Sequence, residues 1–259
     1  MTSRLWALCA MSLLLQVLAS SAEAATTVVA KGDSVVVPLQ GEISPSLVTF
    51  VRRAVKTAET EEASAIVLDI NTYGGRLDAA EEITNILNRA KVPTYSFINS
   101  NAGSAGSLVA LATQHIYMAP VSAIGAAAPV LPTGEDLPAT MRDKTISYWS
   151  ALVRGFAVRN GHNPDVGEAF MNKDKEVKIG DRVVHPKGSL LTLNAQEATE
   201  KFDGKPLLAD GIADSLTDLS RKANLKGSVV RLEPTGFERI AFWITALAPL
   251  LLLGGIIGA

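Results

Sequence analysis

The stretch VPTYSFINSNAGSAGSLVALATQHIYMAP, Val92 to Pro120, changes texture three times within thirty residues or so. Val92 to Ile98 is an apolar run of strand length, and the residues from Asn99 are polar and small. Ser104 to Thr113 reads as a helix of small and aliphatic residues, and His115 to Pro120 as another strand. Strand, short loop, helix, strand is the unit that lays parallel strands beside one another with a helix across them. The fold class therefore reads as α/β with a mostly parallel sheet.

Working outward, the same alternation recurs. Ser34 to Gly41 (SVVVPLQG) is a short apolar run, and Ser44-Pro45 supplies an N-cap serine and a first-turn proline. Leu47, Phe50, Val51 and Val55 then repeat at helical spacing up to the acidic end at Glu59 to Glu62. A second apolar run, Ser64 to Ile70, meets the loop Asn71-Thr72-Tyr73-Gly74-Gly75-Arg76, and Leu77 to Ala90 is helical. Downstream, Pro120 to Pro138 is a loop rich in Ala, Pro and Gly, suited to covering a site. Arg142 to Arg159 is an amphipathic helix whose stripe is Ile146, Trp149, Leu152, Val153 and Phe156. Short elements follow up to Leu232, and no internal repeat is present.

The two ends differ from the middle. Of 259 residues 47% are hydrophobic and mean hydropathy is +0.22, with the excess at the termini. Residues 1–24 carry Arg4, an apolar stretch from Leu5 to Leu18 and Ala22-Glu23-Ala24, the layout of a secretory signal peptide with Ala25 as the mature start. Ile240 to Ala259 contains no charge and matches the roughly 20 residues that cross a bilayer, so 237–259 reads as a transmembrane segment. The run stops on apolar residues, and the expectation is that the chain is a fragment or continues into a longer membrane region. With the signal cleaved, 25–236 would lie on the extracytoplasmic side of the membrane.

Composition excludes several chemistries. Net charge is −2 with 19% charged residues and no basic run, so nucleic acid is set aside as a partner. The single cysteine, Cys9, falls inside the signal stretch, which removes disulfides and thiolate nucleophiles from the mature chain. No His-Glu-x-x-His, no cysteine cluster and no phosphate-binding Gly-x-x-x-x-Gly-Lys motif occurs, so no metal or organic cofactor is expected.

What remains is the serine of Ala102-Gly103-Ser104-Ala105-Gly106, which nearly matches the Gly-x-Ser-x-Gly nucleophile elbow. Small neighbours let a scissile peptide approach the hydroxyl, and the Ala105 N–H at the helix start faces the same space. Gly74 or Gly75 can add a second donor for an oxyanion, worth roughly 2.7 to 4 kcal/mol of barrier. Ser100 lies too near the strand end, and Ser107, one turn into the helix, suits a bond to a backbone carbonyl. Small residues also serve helix-to-strand packing alone, so the loop by itself leaves both readings open.

A serine nucleophile needs a base. Of the three histidines, His115 opens a strand at the far end of the layer, His162 sits in a turn suited to a solvated helix terminus, and His185 precedes Pro186 in a polar loop. A lysine can serve if burial brings its pKa down from about 10.4 towards 7 or 8, at a cost of about 4 kcal/mol. Lys144, in the first turn of the amphipathic helix and directly after the Ala/Pro loop, fits best. An ordinary surface lysine is the alternative, and Lys173, Lys175 and Lys178 read as solvated surface.

Taken in order, VVVPLQGEISPSLVTFVRRAV, AIVLDINTYGGRLDAAEEI, KVPTYSFINSNAGSAGSLVALATQHIYMAPVSAIGAAAPV and MRDKTISYWSALVRGFAVRNGHN resemble the N-terminal protease domain of the NfeD family of membrane-bound serine proteases. That family is related to the Clp protease and signal peptide peptidase A. The resemblance implies a ClpP/crotonase-like fold of repeated ββα units and a serine endopeptidase using a Ser104–Lys144 dyad. It also implies an oxyanion hole from Gly74, Gly75 and the Ala105 N–H. The implied substrates are apolar segments of membrane proteins, stomatin-like partners in particular, and the implied assembly is a homo-oligomer of two or more subunits. One residue departs from the pattern: Tyr73 stands where relatives usually carry proline, so the φ that proline would pre-set is free here. Two rivals follow from the same fold: a scaffold that organises membrane-protein complexes with little or no proteolysis, and a crotonase-type hydratase or isomerase. The second is disfavoured by the signal peptide and by the lack of a glutamate in the serine loop.

Overall fold

The computed structural model describes residues 28–131 and 134–241. In chain order it contains β1 (Ser34–Ile43), α1 (Pro45–Thr60), β2 (Ala65–Gly75), α2 (Leu77–Arg89), β3 (Thr94–Gly103), α3 (Ala105–Leu111), β4 (His115–Met118), β5 (Ala123–Gly125), α4 (Ala139–Asn160) and α5 (Pro164–Ala169). Then come the hairpin β6 (Val177–Ile179) and β7 (Arg182–His185), β8 (Thr192–Asn194), α6 (Ala195–Thr199) and the hairpin β9 (Lys201–Phe202) and β10 (Lys205–Pro206). The last elements are β11 (Gly211–Ile212), α7 (Leu216–Lys222) and β12 (Val229–Arg231). The signal peptide over 1–24 lies outside the described residues, as does the part of 237–259 beyond residue 241. Among the described residues no helix is long and apolar enough to cross a membrane.

The main sheet has the order β11-β4-β3-β2-β1-β12, parallel throughout, as the alternation of apolar runs and amphipathic helices requires. The central strands β1 and β2 are buried on both faces over Ser34 to Leu39 and Ala65 to Ile70. Leu47, Phe50, Val51, Ala54 and Val55 of α1 and Ile83 and Leu87 of α2 lie in the core, while Val36, Val67 and Phe97 form a separate cluster with Ala213 and with Leu219 of α7. Truncating a fully buried aromatic such as Phe50 would cost about 3 to 5 kcal/mol. Arg231 Nη1, on β12, reaches across β1 to Asp69 Oδ2 on β2 at 2.7 Å and fastens the edge strand to the middle of the sheet.

Three local expectations are corrected. Ser44 sits at the N-cap of α1, but its hydroxyl bonds Ser46 Oγ at 2.9 Å instead of capping the helix. The loop expected at 71–76 is mostly strand: after a register shift between Ile70 and Thr72, β2 keeps pairing as far as Gly75, opposite Ile43. The loop expected at 120–138 contains β5, which pairs β3 at 101–103 on one side and β8, antiparallel, on the other. The shifts in β1 and β2 divide each long strand into a sheet segment and a short distal segment before its helix. In β3 the division is by partner, with 95–98 against β4 and 101–103 against β5.

Helix α7 gives a test of how the domain responds to acid. Lys222 at 2.8 Å, Arg221 at 2.5 Å and the Asp214 N–H at 3.0 Å hold the Asp218 carboxyl far below the usual carboxylate range. A carboxyl depressed in the folded state contributes stability above its unfolded value, near 3.9, and that contribution is lost as the pH falls towards the folded value. Asp218→Asn is expected to lower the melting temperature at pH 7, with the gap to wild type closing below about pH 4 in melts across a pH series.

Candidate active site

Ser104 stands between β3 and α3 with φ +50° and ψ −126°, a conformation that non-glycine residues avoid. Its backbone is held at both ends. The Ser104 N–H donates to the Gly125 carbonyl at 3.0 Å, and its own carbonyl accepts from the Ser107 N–H at 3.0 Å and from Ser107 Oγ at 2.7 Å. Ser107 thus bonds a backbone carbonyl, as expected from its place in the helix. Among the described residues the Ser104 hydroxyl has no hydrogen-bond partner, and Ser104 itself is half-buried.

The distal segment of β2 packs directly on this serine. A Cβ on Gly74, which has φ +117°, would lie 2.5 Å from Ser104 Cβ and 2.9 Å from its Oγ, so only glycine fits. Gly106, in the first turn of α3, is likewise filled by Thr72, whose Cγ2 would be 2.4 Å from an added Cβ. The Gly74 N–H donates to Thr72 Oγ1 at 2.9 Å, while Gly75 is exposed beside Tyr73, itself 85% exposed. A cleft of about 590 Å³ opens there, lined by Gln40, Glu42, Asn71, Tyr73 and Gly75 among others. Ala105 is the first residue of α3, so its N–H has no intrahelical acceptor, and the residue is fully buried in this conformation. Helix α3 is shorter than the expected 104–113, at seven residues.

Lys144 is placed differently from the others. Helix α4 begins at Ala139, three residues earlier than expected, so Lys144 falls in its second turn, where it is exposed and has no bonded partner among the described residues. Tyr148 OH donates to Glu81 Oε1 at 2.7 Å, and Arg159 Nη2 donates to the Asn88 carbonyl at 2.8 Å. These contacts make α4 run alongside α2 in the same direction, which puts Lys144 towards the Leu77 end of α2, just after Gly75 and Arg76. The structure brings Ser104, Gly74 and Ala105 together; Lys144 lies at the same end of the sheet without touching them.

The histidines lie elsewhere. His115 pairs in register with Tyr95 at the opposite end of β3, stacks on that ring at 4.6 Å, and has Nδ1 3.4 Å from Asp210 Oδ2. His162 is buried rather than solvated, with Nε2 2.6 Å from the Thr113 carbonyl; burial pushes its pKa down, partly opposed by that bond. His185 is also buried, with Nε2 2.9 Å from the Ser189 carbonyl. Lys175 is not free surface either, since it pairs with Asp165 at 2.5 Å and Glu168 at 3.4 Å. Among the described residues no group of three His, Cys, Asp or Glu side chains is arranged to hold a metal ion.

Comparison with known proteins adds the following. The model of a family described as the NfeD1b N-terminal domain matches residues 33–233. The chain is 33% identical over 226 residues to "Membrane protein NfeD1b" of Bacillus subtilis (strain 168), covering 86% of this chain and 49% of that protein. It is 27% identical over 186 residues to "Membrane-bound protease PH1510" of Pyrococcus horikoshii, covering 70% and 42%. The chain therefore spans about half or less of the length of these relatives. A solved structure of the 1510-N membrane-bound stomatin-specific protease, a lysine-to-alanine variant in complex with a substrate peptide, superposes with a TM-score of 0.67 at 25% identity, over 85% of this chain and 100% of that one. A second 1510-N structure, from Pyrococcus horikoshii, shares the fold with a TM-score of 0.63 at 24% identity over 83% and 100%.

Proposed function

The chain belongs to the NfeD1b N-terminal domain family, and from that premise and the geometry at Ser104 we propose that it is a membrane-anchored serine endopeptidase. The observation that carries the proposal is a serine hydroxyl without a partner among the described residues, on a strained elbow, packed against a glycine that admits no side chain. Strain of this kind costs on the order of 1 to 3 kcal/mol and persists where the surrounding structure over-determines it, as at nucleophile elbows.

In the proposed reaction neutral Lys144 takes the Ser104 proton, Ser104 Oγ attacks a peptide carbonyl, and the N–H groups of Gly75 and Ala105 hold the oxyanion. Lys144 then protonates the leaving amine. Lys144 must move and the covered Ala105 N–H must be exposed for this, so the dyad assembles when bound substrate or a neighbouring subunit draws the start of α4 inwards. The substrate class is apolar segments of membrane proteins; a relative named as a membrane-bound stomatin-specific protease supports that choice. Residues 1–24 act as signal peptide, 25–236 as the ClpP-like protease domain on the extracytoplasmic side, and 237–259 as anchor, in a homo-oligomer.

Exposed Lys144 and buried Ala105 favour a second reading, a scaffold of the same fold that organises membrane-protein complexes with little proteolysis. A fluorophosphonate separates the two. The protease reading expects one adduct, mapped to Ser104 by mass spectrometry, together with cleavage of apolar peptides. No adduct, or an adduct on another serine, leaves the scaffold.

A further inference from the structure

Two consecutive glycines are a poor way to fix a hydrogen-bond donor, because neither side chain restrains φ or ψ. Gly74 and Gly75 have φ of +117° and +151°, and the preceding Tyr73 is largely exposed with no ring closure to set its own φ. Yet an oxyanion donor must be aimed before substrate arrives. Pairing with Glu42 and Ile43 of β1 sets their place in the sheet, and something further has to fix the peptide between them.

Thr72 does so with one hydroxyl. Its Oγ1 accepts from the Gly74 N–H at 2.9 Å and donates to the Gly74 carbonyl at 3.1 Å, so both ends of Gly74 are tied to one atom. Thr72 is itself immobilised: it is only 2% exposed, and its Cγ2 fills the space over Gly106. The peptide between Gly74 and Gly75 is trans, so its N–H points opposite to its C=O. Fixing the Gly74 carbonyl on Thr72 therefore fixes the direction of the Gly75 N–H. The same clamp occupies the Gly74 N–H, which leaves Gly75 as the donor of the pair. Beyond it, the Arg76 N–H on the Ile43 carbonyl at 2.8 Å anchors the next peptide to β1.

We propose that Thr72 is the positioning residue of the oxyanion hole, its hydroxyl aiming the Gly75 N–H by clamping Gly74. The proposal rests on Ser104 being the nucleophile. Thr72→Val keeps the shape and the methyl over Gly106 but removes the hydroxyl; Thr72→Ser keeps the hydroxyl and removes the methyl. A residue that merely packs would tolerate valine better than serine, and a clamp would tolerate serine better than valine.

The test uses the full chain in detergent. Removing an oxyanion donor outright costs about 10²- to 10³-fold, and releasing one that can still return by chance is expected to cost about 10-fold or more. Fluorophosphonate labelling of Ser104 should thus slow at least tenfold in Thr72→Val and return to within about threefold of wild type in Thr72→Ser. The pH–rate profile of the valine variant should keep its midpoint and lose height, since the base is untouched. Independently of activity, hydrogen exchange of the Gly74 amide should accelerate in Thr72→Val and not in Thr72→Ser. The reverse order of the two variants, or equal exchange in both, overturns the clamp. Absence of labelling in wild type overturns the nucleophile and with it the role given to Thr72, whatever the exchange shows.

Discussion

Ser104→Gly should eliminate acylation and at the same time make the domain more stable. The serine holds φ +50° and ψ −126°, where a Cβ is a steric burden of about 1 to 3 kcal/mol and glycine carries none. Against that stands the extra freedom glycine gains in the unfolded chain, about 0.5 to 1 kcal/mol. Among the described residues the hydroxyl has no partner, so none of their hydrogen bonds is lost. The net gain is on the order of 1 kcal/mol, or about 2 to 4 °C in melting temperature for a domain of this size. Ser104→Ala keeps the Cβ and the strain, so it should be just as inactive and melt close to wild type. Comparing the two by calorimetry isolates the strain, and a glycine variant no more stable than the alanine variant would refute it.

Lys144→Ala should slow acylation by about 10²- to 10⁴-fold, the usual worth of a general base, while leaving the melting temperature almost unchanged. The second half follows from exposure and the lack of a bonded partner among the described residues, since such surface substitutions usually stay within about 0.5 kcal/mol. Lys144→Arg should not restore the rate, because a guanidinium stays charged at any usable pH and cannot accept the serine proton. Labelling that survives Lys144→Ala would sink the dyad and leave Ser104 with a base from elsewhere.

The sequence made the parallel α/β layer readable because buried strands are continuous apolar runs and their helices carry a stripe, as at Ile66 to Ile70 and at Phe50, Val51 and Val55. The strand-to-helix turn at Ser104 was readable too, since small residues separate an apolar strand from an aliphatic helix, but the same small residues suit packing alone. Strand β5 was hidden because Ala123–Gly125 presents just one large apolar residue, Ile124, amid alanines that suit a loop. The burial of His162 was hidden because it depends on a carbonyl 49 positions away, that of Thr113. The position of Lys144 is a matter of how α4 lies against α2, which no local pattern encodes. Thr72 left a faint signal: a threonine two residues before a glycine is the setting for a hydroxyl-closed turn.

One more consequence follows from how β5 is tied down. The Gly125 carbonyl takes the Ser104 N–H, the Ala126 N–H donates to the Leu191 carbonyl at 3.0 Å, and the Ala127 N–H donates to the Phe170 carbonyl at 2.6 Å. Three successive residues are thus riveted to three separate parts of the domain. In the proposed reaction the start of α4 can then be drawn inwards without pulling on the nucleophile, so the rivets divide the proposed site into a stationary half that carries the serine and a travelling half that carries the lysine. Readiness then becomes a question of how far one half has travelled, and the stationary half can keep its geometry through every cycle.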